Sequence, residues 1–139
     1  MNSPLLSHPG KSLQDHLQDV AECALLNFRE KEFVIPVPIA KRYSLSKDIV
    51  EKIIFYSAVF HDFGKATSFF QRHLGGQRTN RLSNHAGLSS LVAYHYFLEQ
   101  VGNELGALFV YIIILKHHGN LDNYGRMIEH LEPDDDLEF

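Results

Sequence analysis

The chain has 139 residues, 45% of them hydrophobic, and this is enough to bury one continuous core, so we expect a single domain over residues 1–139. The formal net charge of −4 argues against a protein that binds nucleic acid through a broad basic surface, although bound cations or a local basic loop would alter that balance. One cysteine, Cys23, excludes an internal disulfide. With no signal-peptide pattern and no apolar run long enough to span a bilayer, we expect a cytoplasmic protein without membrane contacts.

The first predicted helix begins after a cap at Ser12 and places His16 on its buried stripe. The apolar positions of this helix repeat with the 3.6-residue period: Leu13, Leu17, Val20, Ala21, Ala24 and Phe28. The prolines in residues 33–38 predict a connecting loop packed by its apolar side chains. A second helix is expected from Ser46 or Lys47, with His61 at an inward position and Asp62 about 100° further round the same helix.

The second half of the chain is also predicted to be helical. A short helix over residues 66–74 is followed by a basic loop, residues 77–84, and by a helix with His85 in its first turn. We expect Leu88, Ser89, Val92 and Tyr96 to continue one face of that helix. The apolar run 105–115 suits a strand or a helix, and helix is preferred because no partner strand is evident. The doublet His117-His118 then lies at the negative end of the helix dipole. A short helix through Leu131 is possible before the acidic end of the chain.

Histidine and aspartate are both metal-ligand types, and several of them lie on or at the ends of the predicted helices. That spread is typical of a metal site between the helices of a bundle. The predicted ligands are His16, His61, Asp62, His85, His117 and His118. Each histidine taken alone is more often a hydrogen-bonded core residue, and we expect such surface or core roles for His8, His73, His95 and His130. The nitrogen-rich donor set favours manganese, iron, cobalt, nickel or zinc over magnesium.

If Asp62 bridges two ions, the site is of the kind that hydrolyses phosphoesters. Asp62 and Lys65 are then the predicted catalytic residues, with Lys65 offsetting charge on the transition state. We expect Arg72, Arg78 and Arg81 to hold neighbouring phosphates. The alternatives are a solvated Lys65 and arginines in an ordinary exposed loop. The aromatic residues Phe60, Phe63, Phe69 and Phe70 are predicted to be core rather than a base-stacking platform.

Four short motifs carry a family resemblance: His61-Asp62-Phe63-Gly64-Lys65, Phe69-Phe70-Gln71, Asn84-His85-Ala86 and Lys116-His117-His118-Gly119. Together they resemble the HD superfamily of metal-dependent phosphohydrolases, and more narrowly the HD nuclease domain of the type I CRISPR-associated helicase-nuclease. The similarity runs from about residue 16 to residue 119. It implies an all-α, HD-type helical bundle with the metal site between helices.

The resemblance also implies an activity and partners. The activity is endo- or exonucleolytic cleavage of single-stranded DNA with two transition-metal ions, and the partners are a CRISPR helicase and a guide-RNA surveillance complex. By the same resemblance, His16, His61 and Asp62 would hold one ion, and Asp62, His85, His117 and His118 the other. Lys65 corresponds to the lysine beside the metals.

The chain departs from the family pattern in one respect. The family has a further aspartate on a helix well downstream of the histidine doublet, which completes the first metal site. Asp122 is too close to the doublet to serve, and Asp134, Asp135 and Asp136 lie in the tail, so we expect a domain that lacks its C-terminal helices. Two other functions stay open: an HD phosphohydrolase of nucleotides or cyclic nucleotides, and a docking module that has lost catalysis.

Overall fold

The computed structural model describes residues 4–76 and 85–119. In these ranges a short hairpin, β1 and β2, precedes six α-helices and one 3-10 helix. The elements are β1 Leu6–His8, β2 Lys11–Ser12, α1 Leu13–Arg29, α2 Val37–Tyr43, α3 Lys47–Phe60, the 3-10 helix Phe63–Ala66, α4 Ser68–Leu74, α5 His85–Val101 and α6 Glu104–Leu115. The predicted all-α class is therefore confirmed for the part of the chain that the structure describes.

Predicted helix boundaries agree with the structure at several places. Ser12 caps α1 by accepting a hydrogen bond from the backbone N–H of Asp15, and Ser46 caps α3 in the same way. The apolar run before the histidine doublet is helical, as α6, and His85 is the first residue of α5. Asp62 is an exception, because α3 ends at Phe60 and Asp62 precedes the 3-10 helix instead of continuing α3.

The N-terminal hairpin was not predicted. β1 pairs antiparallel with β2, so that Leu6 lies opposite Ser12 and His8 opposite Lys11, and Gly10 turns the chain with a φ of +83°. The side chain of Gln71 holds this hairpin against α4. Its Oε1 accepts a hydrogen bond from the Leu6 N–H at 3.1 Å, and its Nε2 donates to the Leu6 carbonyl at 2.8 Å. The hairpin is thereby attached to the helical bundle at Leu6.

The prediction of a loop over residues 33–38 was wrong at its end. Val37 begins α2, and the prolines are tolerated there because N–H groups in the first turn have no acceptor inside the helix. The apolar side chains of the segment are also not packed as expected. Val34 is 84% exposed and Val37 62% exposed.

The core lies where α3, α5 and α6 meet. Its buried residues are Ile53, Ala93, Phe97, Ala107, Val110 and Ile114. The predicted face of α5 was wrong at Leu88 and Tyr96, which are exposed, whereas Ala86, Ser89 and Ser90 are buried. Small side chains occupy this face because α5 packs directly against α6 and the 3-10 helix.

Some predicted features lie outside the described residues. These are the basic loop 77–84 with Arg78 and Arg81, His130, the short helix through Leu131, Asp122 and Asp134–Asp136. Among the described helices, none has the length and apolar character needed to cross a membrane.

At Gly64 the 3-10 helix packs closely against α5. A Cβ at this position would lie 2.5 Å from the backbone carbonyl oxygen of His85, too close for any carbon–oxygen contact. The Gly64 N–H also donates to the buried Oγ of Ser89 at 2.8 Å. Because the clash is with backbone, a methyl group here must push α5 away from the 3-10 helix.

We therefore expect Gly64→Ala to lower the free energy of unfolding by about 1–3 kcal/mol, the usual cost of overpacking. Gly87→Ala is the matched control, because Gly87 lies in α5 and a Cβ there meets nothing within 4 Å. That variant should be neutral or up to about 1 kcal/mol more stable. Urea unfolding of both variants checks this, and equal stabilities would contradict the proposed close contact.

Candidate metal centre

The six predicted ligands come from four parts of the fold and meet at one end of the bundle. His16 lies in the second turn of α1, and His61 caps the C-terminal end of α3. Asp62 follows directly, His85 begins α5, and His117 and His118 follow the end of α6. The structure therefore brings together every residue that the sequence had suggested as a ligand.

The carboxylate of Asp62 lies at the centre of these residues and is only 2% exposed. Its Oδ2 lies 3.0 Å from His16 Nε2, 3.4 Å from His61 Nε2 and 2.7 Å from Lys65 Nζ. Its Oδ1 faces the other way, 2.9 Å from His85 Nε2 and 3.4 Å from His117 Nε2. Each oxygen thus faces a different set of imidazoles.

Backbone carbonyls fix the orientation of two of the imidazole rings. His61 Nδ1 donates to the carbonyl of Ala58 at 2.7 Å, and His117 Nδ1 donates to the carbonyl of Ile114 at 2.5 Å. A carbonyl can only accept, so each Nδ1 carries a hydrogen and the neutral ring keeps its lone pair on Nε2. Both Nε2 atoms point towards Asp62. This backbone support is typical of histidines that bind metals.

Two buried acceptor atoms face each other in the centre of the cluster. Asp62 Oδ1 and His117 Nε2 are buried, and neither makes a hydrogen bond within the described part of the chain. They lie 3.4 Å apart, and in the neutral form of His117 no hydrogen stands between them. Buried acceptors without a donor are costly, and a cation between them would remove that cost.

The spacing of the ligand atoms also fits metal binding. Two groups, His16–His61–Asp62 and Asp62–His85–His117–His118, each offer ligand atoms that lie within 4.8 Å of one another. Ligands at about 2.1 Å from one ion stand about 3.0 Å apart at octahedral angles and about 3.4 Å apart at tetrahedral angles. The distances from Asp62 to the imidazoles, 2.9–3.4 Å, match these values. The residues present therefore fit divalent transition-metal ions.

The charges around Asp62 shift several pKa values. Burial by itself would raise the pKa of Asp62, but the side chains of His61, His85 and Lys65 around its carboxylate hold that pKa well below its ordinary value. Burial lowers the pKa of His16 and of His118, and neighbouring histidines lower both further. For His61, burial is outweighed by Asp62 and by the Ala58 carbonyl, so its pKa is raised. Asp62 is thus an anion at neutral pH, with Lys65 and several imidazoles close to it.

Lys65 lies inside this cluster and is not a solvated surface lysine. Its side chain is 13% exposed, and its ammonium group lies 5.3 Å from the centre of the Phe70 ring as well as beside Asp62.

Arg72 is different, because it is exposed, donates to the Ser68 carbonyl and lies over the ring of Phe69. Phe70 is core as expected, whereas Phe63 and Phe69 are about two-fifths exposed, contrary to the expectation that they are core.

His8 lies next to the cluster, although it was expected from the sequence to be an ordinary surface or core histidine. Its ring lies edge-on to the ring of His16, with centroids 5.9 Å apart. The hairpin brings it there, and the dipeptide Pro9-Gly10 between two short polar-apolar segments was the available signal for a turn. Gln71 was likewise overlooked as a positioning residue, although it lies in the motif Phe69-Phe70-Gln71.

Comparison with known families agrees with this geometry. The model of the family described as "Cas3, HD domain" matches residues 6–134. The chain belongs to the Cas3 HD-domain family. No curated protein and no solved structure matched the chain. A Cas3 HD domain with this histidine and aspartate cluster points to an HD phosphohydrolase of the nuclease kind, in the context of CRISPR interference.

The raised pKa of His61 predicts how metal binding depends on pH. A proton and a metal ion compete for His61 Nε2, and this proton is retained to a pH above the ordinary value of about 6.5. His16 and His118, with lowered pKa values, are already neutral there. We expect the apparent affinity for Mn²⁺ to rise by about tenfold per pH unit below the pKa of His61 and to level off above it.

Calorimetric titration with Mn²⁺ between pH 6 and pH 8, in two buffers of different ionisation enthalpy, measures both the affinity and the protons released. His95→Ala, at an exposed position on α5, is the matched control and should show the same pH dependence as the unsubstituted protein. An affinity that does not change across this range would contradict the assignment of His61 as a ligand.

Proposed function

We propose that this Cas3 HD domain is a metal-dependent nuclease that hydrolyses phosphodiester bonds of single-stranded DNA with two metal ions. The observation that carries the proposal is the position of Asp62 between two ligand groups. Oδ2 belongs with His16 and His61, and Oδ1 with His85, His117 and His118. A single carboxylate that faces two nitrogen-rich groups supports a bridge between two ions.

Two divalent transition-metal ions, when bound, would supply a water of lowered pKa and Lewis-acid stabilisation of phosphate oxygens. The histidines supply neutral nitrogen ligands, and the backbone carbonyls of Ala58 and Ile114 keep two of their rings in the required orientation. Asp62 stays ionised at neutral pH because its pKa is lowered. The site can therefore bind cations without first having to deprotonate its carboxylate.

Lys65 is the second catalytic residue of the proposal. It is fixed by the short 3-10 helix that follows Asp62, and its carbonyl accepts a hydrogen bond from Gln71 Nε2 at 2.8 Å. Its ammonium group is held beside Asp62 Oδ2, where it is proposed to offset the negative charge that develops on a bound phosphate. A cation preorganised in this way lowers the barrier without reorganisation of solvent.

Membership of the Cas3 HD-domain family implies a role in CRISPR interference. It supports the proposal that the substrate is single-stranded DNA and that the partners are a helicase and a guide-RNA surveillance complex. Arg72 is exposed on α4, in the segment that also contributes Gln71, and is proposed to contact a neighbouring phosphate. Arg78 and Arg81 complete the basic segment in the sequence and are proposed for the same role. With a net charge of −4, the chain depends on bound metal ions and on these local arginines to attract DNA.

A substrate comparison tests this function. The protein loaded with Mn²⁺ or Ni²⁺ is incubated with end-labelled single-stranded DNA, with duplex DNA, and with a panel of nucleotides and cyclic nucleotides. We expect cleavage of the single-stranded DNA. Release of phosphate or nucleoside from the panel with intact DNA would replace the nuclease by an HD nucleotide phosphohydrolase. Fewer than one bound ion per chain and no turnover would favour a docking module.

Asp62→Ala deletes the proposed bridge without changing the apolar core. We expect turnover of single-stranded DNA to fall by about 1,000-fold or more, at or beyond the upper end of the loss caused by removing one transition-state donor. Circular dichroism and thermal unfolding check that the protein remains folded. The matched control is Asp48→Ala, which removes an exposed carboxylate that pairs with Lys52 on α3. Turnover of Asp62→Ala within tenfold of this control would refute the bridge.

A further inference from the structure

The two ligand groups that share Asp62 are unequal. The group around Oδ1 has three histidines, His85, His117 and His118, whereas the group around Oδ2 has two, His16 and His61. Transition-metal ions in proteins are usually bound by at least three side chains, and often by four. A further nitrogen donor close to His16 would make the two groups equal.

His8 occupies that position. Its ring lies edge-on to the ring of His16, at a centroid distance of 5.9 Å and an interplanar angle of 85°. Two other histidine pairs in the cluster have a similar edge-on arrangement of their rings. The ring centroids of His61 and His117 are 5.4 Å apart at an interplanar angle of 88°, and those of His85 and His118 are 4.9 Å apart at 89°.

Ser7 orients the ring of His8 as the backbone carbonyls orient those of His61 and His117. The Ser7 side chain is buried, its Oγ lies 3.0 Å from His8 Nδ1, and the same Oγ donates to the carbonyl of Lys11 at 3.4 Å. A hydroxyl has one hydrogen, so it accepts the hydrogen of Nδ1. The neutral ring of His8 then keeps its lone pair on Nε2.

The hairpin that carries His8 is tied to the rest of the site. Gln71 binds both backbone groups of Leu6 and also the carbonyl of Lys65, so that β1 and the 3-10 helix share one side chain. The backbone of β1 is therefore held at a fixed distance from Asp62 and Lys65. The ring of His8 is exposed and lies next to the ring of His16.

We propose that His8 is an additional ligand of the ion at the group His16–His61–Asp62. The inference rests on the proposed two-metal function and deepens it by adding a residue that had been expected to be an ordinary surface or core histidine. Coordination requires the exposed ring to turn inward, because His8 lies outside the set of atoms within 4.8 Å of one another. With His8 coordinated in this way, the N-terminal hairpin forms one side of the metal site.

Titration with Mn²⁺ alone tests the proposal without any measurement of activity. The unsubstituted protein should bind two ions. His8→Ala should weaken one binding step by at least about tenfold, because even the loss of a residue that only orients a metal ligand lowers metal affinity by about that factor. The other binding step should be unchanged. His95→Ala, which removes an exposed histidine on α5, should leave both steps unchanged.

The outcomes separate the inference from the proposed function. Two ions bound with equal affinity by His8→Ala and His95→Ala would overturn the role of His8 and leave the two-metal function intact. No ion bound by the unsubstituted protein would overturn both. If His8→Ala fails to fold, ¹⁵N-histidine spectra of the unsubstituted protein with and without Zn²⁺ decide the question. A metal-induced shift of His8 Nε2 supports coordination, and an unchanged resonance overturns it.

Discussion

The buried carboxylate of Asp62 is the group on which the rest of this structure depends. It is almost fully buried, yet its pKa is held below the ordinary value, so it carries a negative charge at neutral pH. Within residues 4–76 and 85–119, the Lys65 ammonium group opposes that charge at contact distance, and neutral His61 and His117 present lone pairs on Nε2. Such an environment favours the binding of a cation. The proposed metal binding and the proposed phosphoester chemistry both depend on this one imbalance between acceptors and donors.

The fold serves mainly to bring the ends of four helices to this carboxylate. Gly64 lets the 3-10 helix approach α5 closely enough for His85 to reach Oδ1, and Ser89 accepts the hydrogen bond that fixes this approach. On the opposite side, Gln71 joins the N-terminal hairpin to the carbonyl of Lys65. These contacts lie outside the ligand set, and they determine whether the ligands converge. Their loss would separate the ligand groups even if every histidine were retained.

The helices, their caps and the convergence of the six candidate ligand residues were accessible from the sequence, because helical periodicity and the capping residues Ser12 and Ser46 are local signals. The hairpin was not, since strands of three and two residues carry no periodic pattern. Its absence from the prediction also hid His8. The face of α5 was misjudged because tight packing selects small side chains such as Ala86 and Ser90 over larger apolar ones. The position of Asp62 beyond the end of α3 depends on tertiary contacts that a helical projection does not contain.

The central claim is that one carboxylate bridges two metal ions. Crystals of the protein grown with Mn²⁺ and measured at the manganese absorption edge test it directly, because anomalous scattering locates each ion independently of the protein atoms. We expect two anomalous peaks about 3.5–4 Å apart, with one oxygen of Asp62 on each. A single peak, or two peaks of which only one contacts Asp62, would contradict the account.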